Sequence, residues 1–146
     1  MRTLILLSAL LSLALLAPTS AMSEQSADRG TLTVKQSRFG RIVFDGRGYV
    51  LYAFTADGRN RATCYGACAT AWPPLIVKAK PTAGSGANAR LLGVARRRDG
   101  RLQATYAGKP LYYYVGDRKP GQILCQNVNE FGGDWLVVKP GGGYVR

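Results

Sequence analysis

Part of this chain is written twice. Leu51-Tyr52-Ala53-Phe54-Thr55-Ala56-Asp57 returns sixty residues later as Leu111-Tyr112-Tyr113-Tyr114-Val115-Gly116-Asp117. Trp72-Pro73-Pro74-Leu75-Ile76-Val77 returns more loosely as Trp135-Leu136-Val137-Val138. Each copy reads as hairpin, aromatic strand, Asp turn, irregular segment, Trp, apolar strand. Two related units, each covering the other's apolar face, predict one pseudo-symmetric domain and not a solenoid.

Strand-length segments supply the rest of the order. Arg41–Phe44 and Tyr49–Phe54 flank Asp45-Gly46-Arg47-Gly48 and read as a hairpin. Leu102–Tyr106 and Leu111–Val115 flank Ala107-Gly108-Lys109-Pro110 and read as a second. Thr31–Val34 is a short candidate, Leu91–Ala95 a weaker one, and Trp135–Val138 the last strand. Thr63–Trp72 alone has a helical look, at two to three turns, stopped by Pro73-Pro74. Lys80–Ala89, with Pro81 and Gly84-Ser85-Gly86, reads as a mobile loop. The expected fold is all-β with one short helix, its two hairpin repeats (about 41–78 and 102–139) forming one sandwich or partly open barrel over 31–140. Residues 22–30 are expected to be a flexible N-terminus and 141–146 a flexible tail.

The first residues have the pattern of an export signal. Positive charge at Met1-Arg2 precedes an apolar run from Leu4 to Leu16, and Ala17-Pro18-Thr19-Ser20-Ala21 follows. Cleavage after Ala21 is expected, so 1–21 is a signal peptide. The run falls short of the roughly 20 apolar residues of a spanning helix. No cysteine stands at the cut, the nearest being Cys64, so a lipid anchor is not expected. The processed chain is expected in the periplasm or medium of a bacterium, with no transmembrane span.

Charge and composition narrow the chemistry. The chain has 20 Lys and Arg, 8 Asp and Glu, and no His, for a formal charge of +12. Such a field attracts polyanions and anionic surfaces; export argues against nucleic acid. Arg96, Arg97, Arg98 and Arg101 form the one dense basic run. They are a candidate anion-binding patch, although Arg98-Asp99-Gly100-Arg101 is also a turn signal. Lack of His rules out a Ser-His-Asp triad, a Cys-His pair and imidazole ligation of a metal. Met22 is the only methionine left after processing, which excludes a Met-rich copper site. No metal and no cofactor is expected.

The motifs in combination are recognisable. Tyr52-x-Phe54-x-x-Asp57, Cys64-Tyr65-Gly66-Ala67-Cys68 and Ala71-Trp72-Pro73-Pro74-Leu75 resemble the bacterial family called the secreted repeat of unknown function. The second copy fits through Gly108-Lys109-Pro110-Leu111-Tyr112, Tyr114, Asp117, Lys119-Pro120-Gly121 and Phe131-Gly132-Gly133-Asp134-Trp135. The resemblance covers roughly Arg41 to Pro140. It implies predicted lipoproteins or periplasmic proteins with a Tyr-x-aromatic-x-x-Asp motif, and little chemistry. This chain departs from many relatives in lacking the anchoring cysteine and in having Cys125.

Each motif has a structural and a functional reading. Tyr52 with Phe54, and Tyr112 with Tyr114, share a strand face and read first as core; Tyr113 points the other way and is the candidate exposed contact. Asp57 and Asp117 read first as turn carboxylates that accept backbone N–H groups one or two residues on, and second as a catalytic or metal-binding pair, for which so few other acids supply ligands poorly. Trp72 and Trp135 read as plugs at the junction of the repeats. An oxidising compartment favours a Cys64–Cys68 disulfide, with thiol redox chemistry the alternative. Because the resemblance places these two in the shared motif, Cys125 is expected to be free or intermolecular, pairing with Cys64 or Cys68 staying open. Lack of a catalytic constellation argues against an enzyme. The expected function is a non-catalytic domain that binds an envelope surface, a partner envelope protein or a small ligand; the alternative is a redox or electron-transfer accessory using Cys64 and Cys68.

Overall fold

The computed structural model describes residues 29–146. The signal-peptide reading of 1–21 and nearly all of the N-terminal stretch 22–30 lie outside the described residues. The described chain is mostly strand, with two sheets, neither of them closed into a barrel. Its strands are β1 (Thr31–Ser37), β2 (Gly40–Asp45), β3 (Tyr52–Phe54), β4 (Ile76–Val77), β5 (Thr82–Ala83), β6 (Leu92–Arg96), β7 (Leu102–Tyr106), β8 (Lys109–Tyr112), β9 (Val128–Glu130) and β10 (Gly133–Val137). The helix α1 (Ala67–Ala71) lies between β3 and β4, and a single 3-10 turn, Ala89–Leu91, precedes β6. The small sheet runs β2-β1-β5. The large sheet runs β4-β7-β8-β3-β10-β9, with β6 on the other edge of β7.

The turns follow from local chemistry. β7 and β8 meet through Ala107-Gly108, both at positive φ (52° and 76°), the backbone of a two-residue hairpin turn that matches strand twist. Phe131-Gly132 joins β9 to β10 in the same way, at 56° and 85°.

Strand alternation gives the large sheet two buried faces. On one, Ala53, Ala104, Tyr106 and Leu111 pack against Leu32, Val34 and Val43 of the small sheet. On the other, Tyr52, Phe54, Tyr112 and Trp135 gather with Trp72, Cys64, Cys68 and Ile123.

The repeats exchange strands. β3 and β8 pair antiparallel at the centre of the large sheet, with Tyr52 directly opposite its counterpart Tyr112. The Trp segment of the second repeat then pairs with the first repeat's strand (Val137 opposite Tyr52), and that of the first pairs with the second (Pro74 opposite Tyr112). Neither repeat completes its own sheet.

Several expectations need correction. Arg41–Phe44 and Tyr49–Phe54 do not form a regular hairpin: one bridge, Phe44 with Val50, joins them before β3 leaves for the large sheet. β2 pairs along its length with β1, which runs on to Ser37. The helix has five residues, not ten, because Thr63 gives both its N–H and its hydroxyl to Asp57 and Gly66 sits at φ 56°. Lys80–Ala89, expected to be a mobile loop, lays β5 parallel to β1. Gly84 permits the approach, since a Cβ there would meet Thr33 Cγ2 at 2.6 Å. Residues 141–146, expected to be a loose tail, fold back, with Tyr144 bridging Val138 and Val145 N–H donating to Val137 O. β9 carried too few apolar residues to be read as a strand.

Candidate functional site

The family motif residues converge on one aromatic stack. Trp72 and Trp135 lie face to face, 4.0 Å between centroids and 4° between planes. Phe54 stacks on the outer face of Trp135 at 4.3 Å, and Tyr114 tilts against Trp72 at 4.8 Å. Tyr52 meets Trp72 edge-on at 5.3 Å; Tyr112 meets Trp135 edge-on at 5.1 Å. Each contact of one repeat thus has its counterpart in the other. Both indoles are fully buried, each pair contributing about 0.5–1.5 kcal/mol beyond area burial. Glu130 serves both indole N–H groups: its Oε2 accepts from Trp72 Nε1 at 3.1 Å and its backbone oxygen from Trp135 Nε1 at 3.3 Å.

The two aspartates are crossed in the same manner. Tyr52 hydroxyl donates to Asp117 Oδ2 and Tyr112 hydroxyl to Asp57 Oδ2, each at 2.7 Å. The other carboxylate oxygens take N–H groups six or seven residues on: Thr63 on Asp57 Oδ1 and Leu124 on Asp117 Oδ1. The expectation of bonds to N–H groups one or two residues on is therefore corrected. Because β3 and β8 are antiparallel, each aspartate lies beyond the C-terminal end of its strand, at opposite ends of the pair. They do not converge, which removes the paired-carboxylate catalytic reading. Burial pushes both carboxyls above their ordinary range, against the pull of Thr63 on Asp57 and of Tyr52 on Asp117. Burial, reinforced by the partner aspartates, pushes the Tyr52 and Tyr112 phenols far above theirs.

Cys64 and Cys68 are joined, with Cα atoms 5.3 Å apart, and are 0% and 7% exposed. Cys125 is free and half-buried beside Tyr114, and burial raises its thiol pKa. The basic run divides. Arg96, Arg98 and Arg101 are exposed, and Arg101 pairs with Asp99 at 2.6 Å. Arg97 is 3% exposed, so its place in an anion-binding patch is corrected. It donates to Gln103 Oε1 at 2.6 Å and to Cys64 O at 2.8 Å, over the Tyr65 ring, and so clips the disulfide loop to the sheet.

Tyr113, the candidate exposed contact, is half-buried, its hydroxyl donating to Asp45 Oδ2 at 2.9 Å. Fully buried Asp45 also takes Arg47 through Nε and Nη2, and the N–H groups of Arg47 and Tyr49. Arg47, Tyr49 and Tyr113 of this cluster line a groove of about 410 Å³ together with Val115, Asp117 and Arg118. A smaller groove, of about 260 Å³, is lined by Phe54, Asp57, Arg59, Ala107, Lys109 and Tyr144. The sixty-residue offset maps one groove onto the other: Arg47 to Ala107, Tyr49 to Lys109, Tyr114 to Phe54, Asp117 to Asp57. The groove residues were missed in the sequence. Comparing the copies position by position was the available signal, since they match in pattern and differ in charge and ring.

One protein family matches this arrangement in sequence. Its description is a secreted repeat of unknown function, and it matches twice, at residues 33–76 and 93–139. The chain belongs to this family. Each match begins upstream of the repeat read from the sequence and takes in β1 or β6, so each family unit includes the strand that completes its hairpin. No curated protein and no solved structure matches the chain. Among the described residues no helix is long and apolar enough to cross a membrane.

Proposed function

We propose that this secreted-family domain is a non-catalytic binding module of the bacterial periplasm or cell exterior, and that it binds an anionic surface of the envelope. One observation carries the reading: 20 Lys and Arg stand against 8 Asp and Glu, and few of the cations are paired. All Lys and Arg but Arg2 lie among the described residues, and of these only Arg47 and Arg101 form ion pairs there. Asp45, Asp57, Asp117, Glu130 and Asp134 are each held by hydrogen bonds within the domain. The outer field is therefore strongly positive, the condition for attraction to an anionic surface.

Burial of Cys64 and Cys68 weighs against the redox alternative, since thiol–disulfide exchange needs access to a sulfur. Co-sedimentation with phosphatidylglycerol-rich and with zwitterionic vesicles tests the binding reading. Retention on the anionic vesicles alone, weakened by combining Arg96→Ala, Arg98→Ala and Arg118→Ala, is expected. Failure of the wild-type protein to bind at low salt overturns it.

A further inference from the structure

We propose that the larger groove, between the approach to β3 and the end of β8, is a binding site for a sugar that carries a carboxylate. The inference rests on the anionic-surface reading and deepens it by naming a site and a ligand class.

Two guanidinium groups serve the groove without being consumed by it. Arg47 is held by Asp45 through Nε at 3.0 Å and Nη2 at 2.8 Å, and Nη2 also reaches the Tyr113 hydroxyl at 3.5 Å. That leaves Nη1 without a partner among the described residues, on a side chain 22% exposed. A guanidinium fixed on one edge and free on another is a pre-oriented donor, with little rotamer entropy left to lose on binding. Arg118 is exposed, and its side chain has no hydrogen-bond or ion-pair partner among the described residues. The neighbouring carboxylates are already engaged: Asp45 is saturated, and Asp117, which also lines the groove, has its two oxygens bonded by the Tyr52 hydroxyl and the Leu124 N–H.

Ring surface stands beside these donors. Tyr49 and Tyr113 meet edge to face, 6.5 Å between centroids and 89° between planes. The Arg47 guanidinium lies 4.8 Å from the Tyr49 centroid and 5.8 Å from that of Tyr113. Both hydroxyls are engaged, Tyr113 with Asp45 and Tyr49 with Arg118 O at 3.4 Å, so the rings are held in place. A volume of about 410 Å³ is within the range of about 300–1,000 Å³ for small-molecule sites. The groove is open and sets charged and hydroxyl-bearing side chains beside Val115, which suits a hydroxylated ring lying over tyrosine better than an apolar ring needing enclosure.

The second groove supplies an internal comparison. There Ala107 replaces Arg47, Lys109 replaces Tyr49, and Gly58 replaces Arg118. It keeps positive charge in Arg59 and Lys109, and the cation over its tyrosine, Tyr144, is the Lys109 amino group at 4.9 Å from the ring centroid, where the first groove has a guanidinium. A ligand drawn by charge alone would use both grooves. One that needs a guanidinium held against tyrosine would use the first.

Titration of the full processed protein, followed by amide NMR, tests this with three probes: tri-galacturonate, neutral tri-galactose and inorganic phosphate. Saturable shifts at Tyr49, Tyr113 and Arg118 with the uronate are expected, with the neutral sugar and phosphate weaker by about tenfold or more, as befits loss of a charge-assisted contact. Arg118→Ala should weaken the uronate and Arg59→Ala should not. Absence of groove shifts, equal shifts at Arg59 and Lys109, or equal affinity for phosphate overturns the site. Should the uronate fail while anionic vesicles still bind, the groove assignment falls alone; should both fail, the anionic reading falls with it.

Discussion

The Tyr52 hydroxyl reaches across the repeats to Asp117, 2.7 Å from oxygen to oxygen and 65 residues apart in sequence. Tyr112 and Asp57 repeat the contact in the opposite sense. The motif that recurs in sequence is therefore completed in space by residues of the other copy. A hydrogen bond to a charged group contributes about 1.5–3 kcal/mol. Tyr52→Phe should cost that much, and a double-mutant cycle with Asp117→Asn should give a coupling of about 0.5–3 kcal/mol by chemical denaturation.

Strand exchange predicts that half the domain does not fold. A fragment ending at Lys78 keeps β1 to β4 but loses β8 and β10, the two neighbours of β3. Such a fragment should show no cooperative unfolding by circular dichroism. Mixing it with the complementary fragment should restore a transition.

The buried phenols set an alkaline limit. Tyr52 and Tyr112 have pKa values raised above the ordinary 10.0 by burial, with Asp117 and Asp57 adding to it. The folded state holds their protons more tightly than the unfolded state does. Stability from these groups is therefore fully present below pH 10 and lost as pH rises beyond it. Ultraviolet titration should show these tyrosines un-ionised until the protein unfolds. Asp57 and Asp117 are also raised, so their contribution is complete below 3.8 and declines as pH climbs through their folded values. Acid unfolding should therefore not be driven by these two.

Arg97 and Arg98 are neighbours with opposite fates. Arg97→Ala strands the Gln103 and Cys64 oxygens it now binds and should cost on the order of 3 kcal/mol. Arg98→Ala removes an exposed cation 4.0 Å from the Tyr65 ring centroid and should cost under about 1 kcal/mol. Thermal melts of the two variants compare them directly.

Much of the fold was readable because strand periodicity and repetition are local signals. Tyr52 and Phe54 at spacing two, echoed by Tyr112 and Tyr114, announced a shared buried face, and the two tryptophans announced the junction. What was not readable depends on distant partners. Nothing near Asp57 says that Tyr112 will occupy its carboxylate, and nothing in Arg96-Arg97-Arg98 says that the middle one turns inward to Cys64 and Gln103. Thr63 was counted into a helix because its capture by Asp57 spans six residues, beyond any helical periodicity. Tyr113 joins the local turn of Asp45, Arg47 and Tyr49 only once β3 and β8 lie side by side.

The most direct measurement is the salt dependence of binding between the processed protein and phosphatidylglycerol vesicles. A contact made by unpaired surface cations is screened by salt. Affinity should therefore fall steeply as salt is raised, with zwitterionic vesicles retaining little protein at any concentration. Equal retention on both vesicle types, indifferent to salt, would contradict an anionic-surface function.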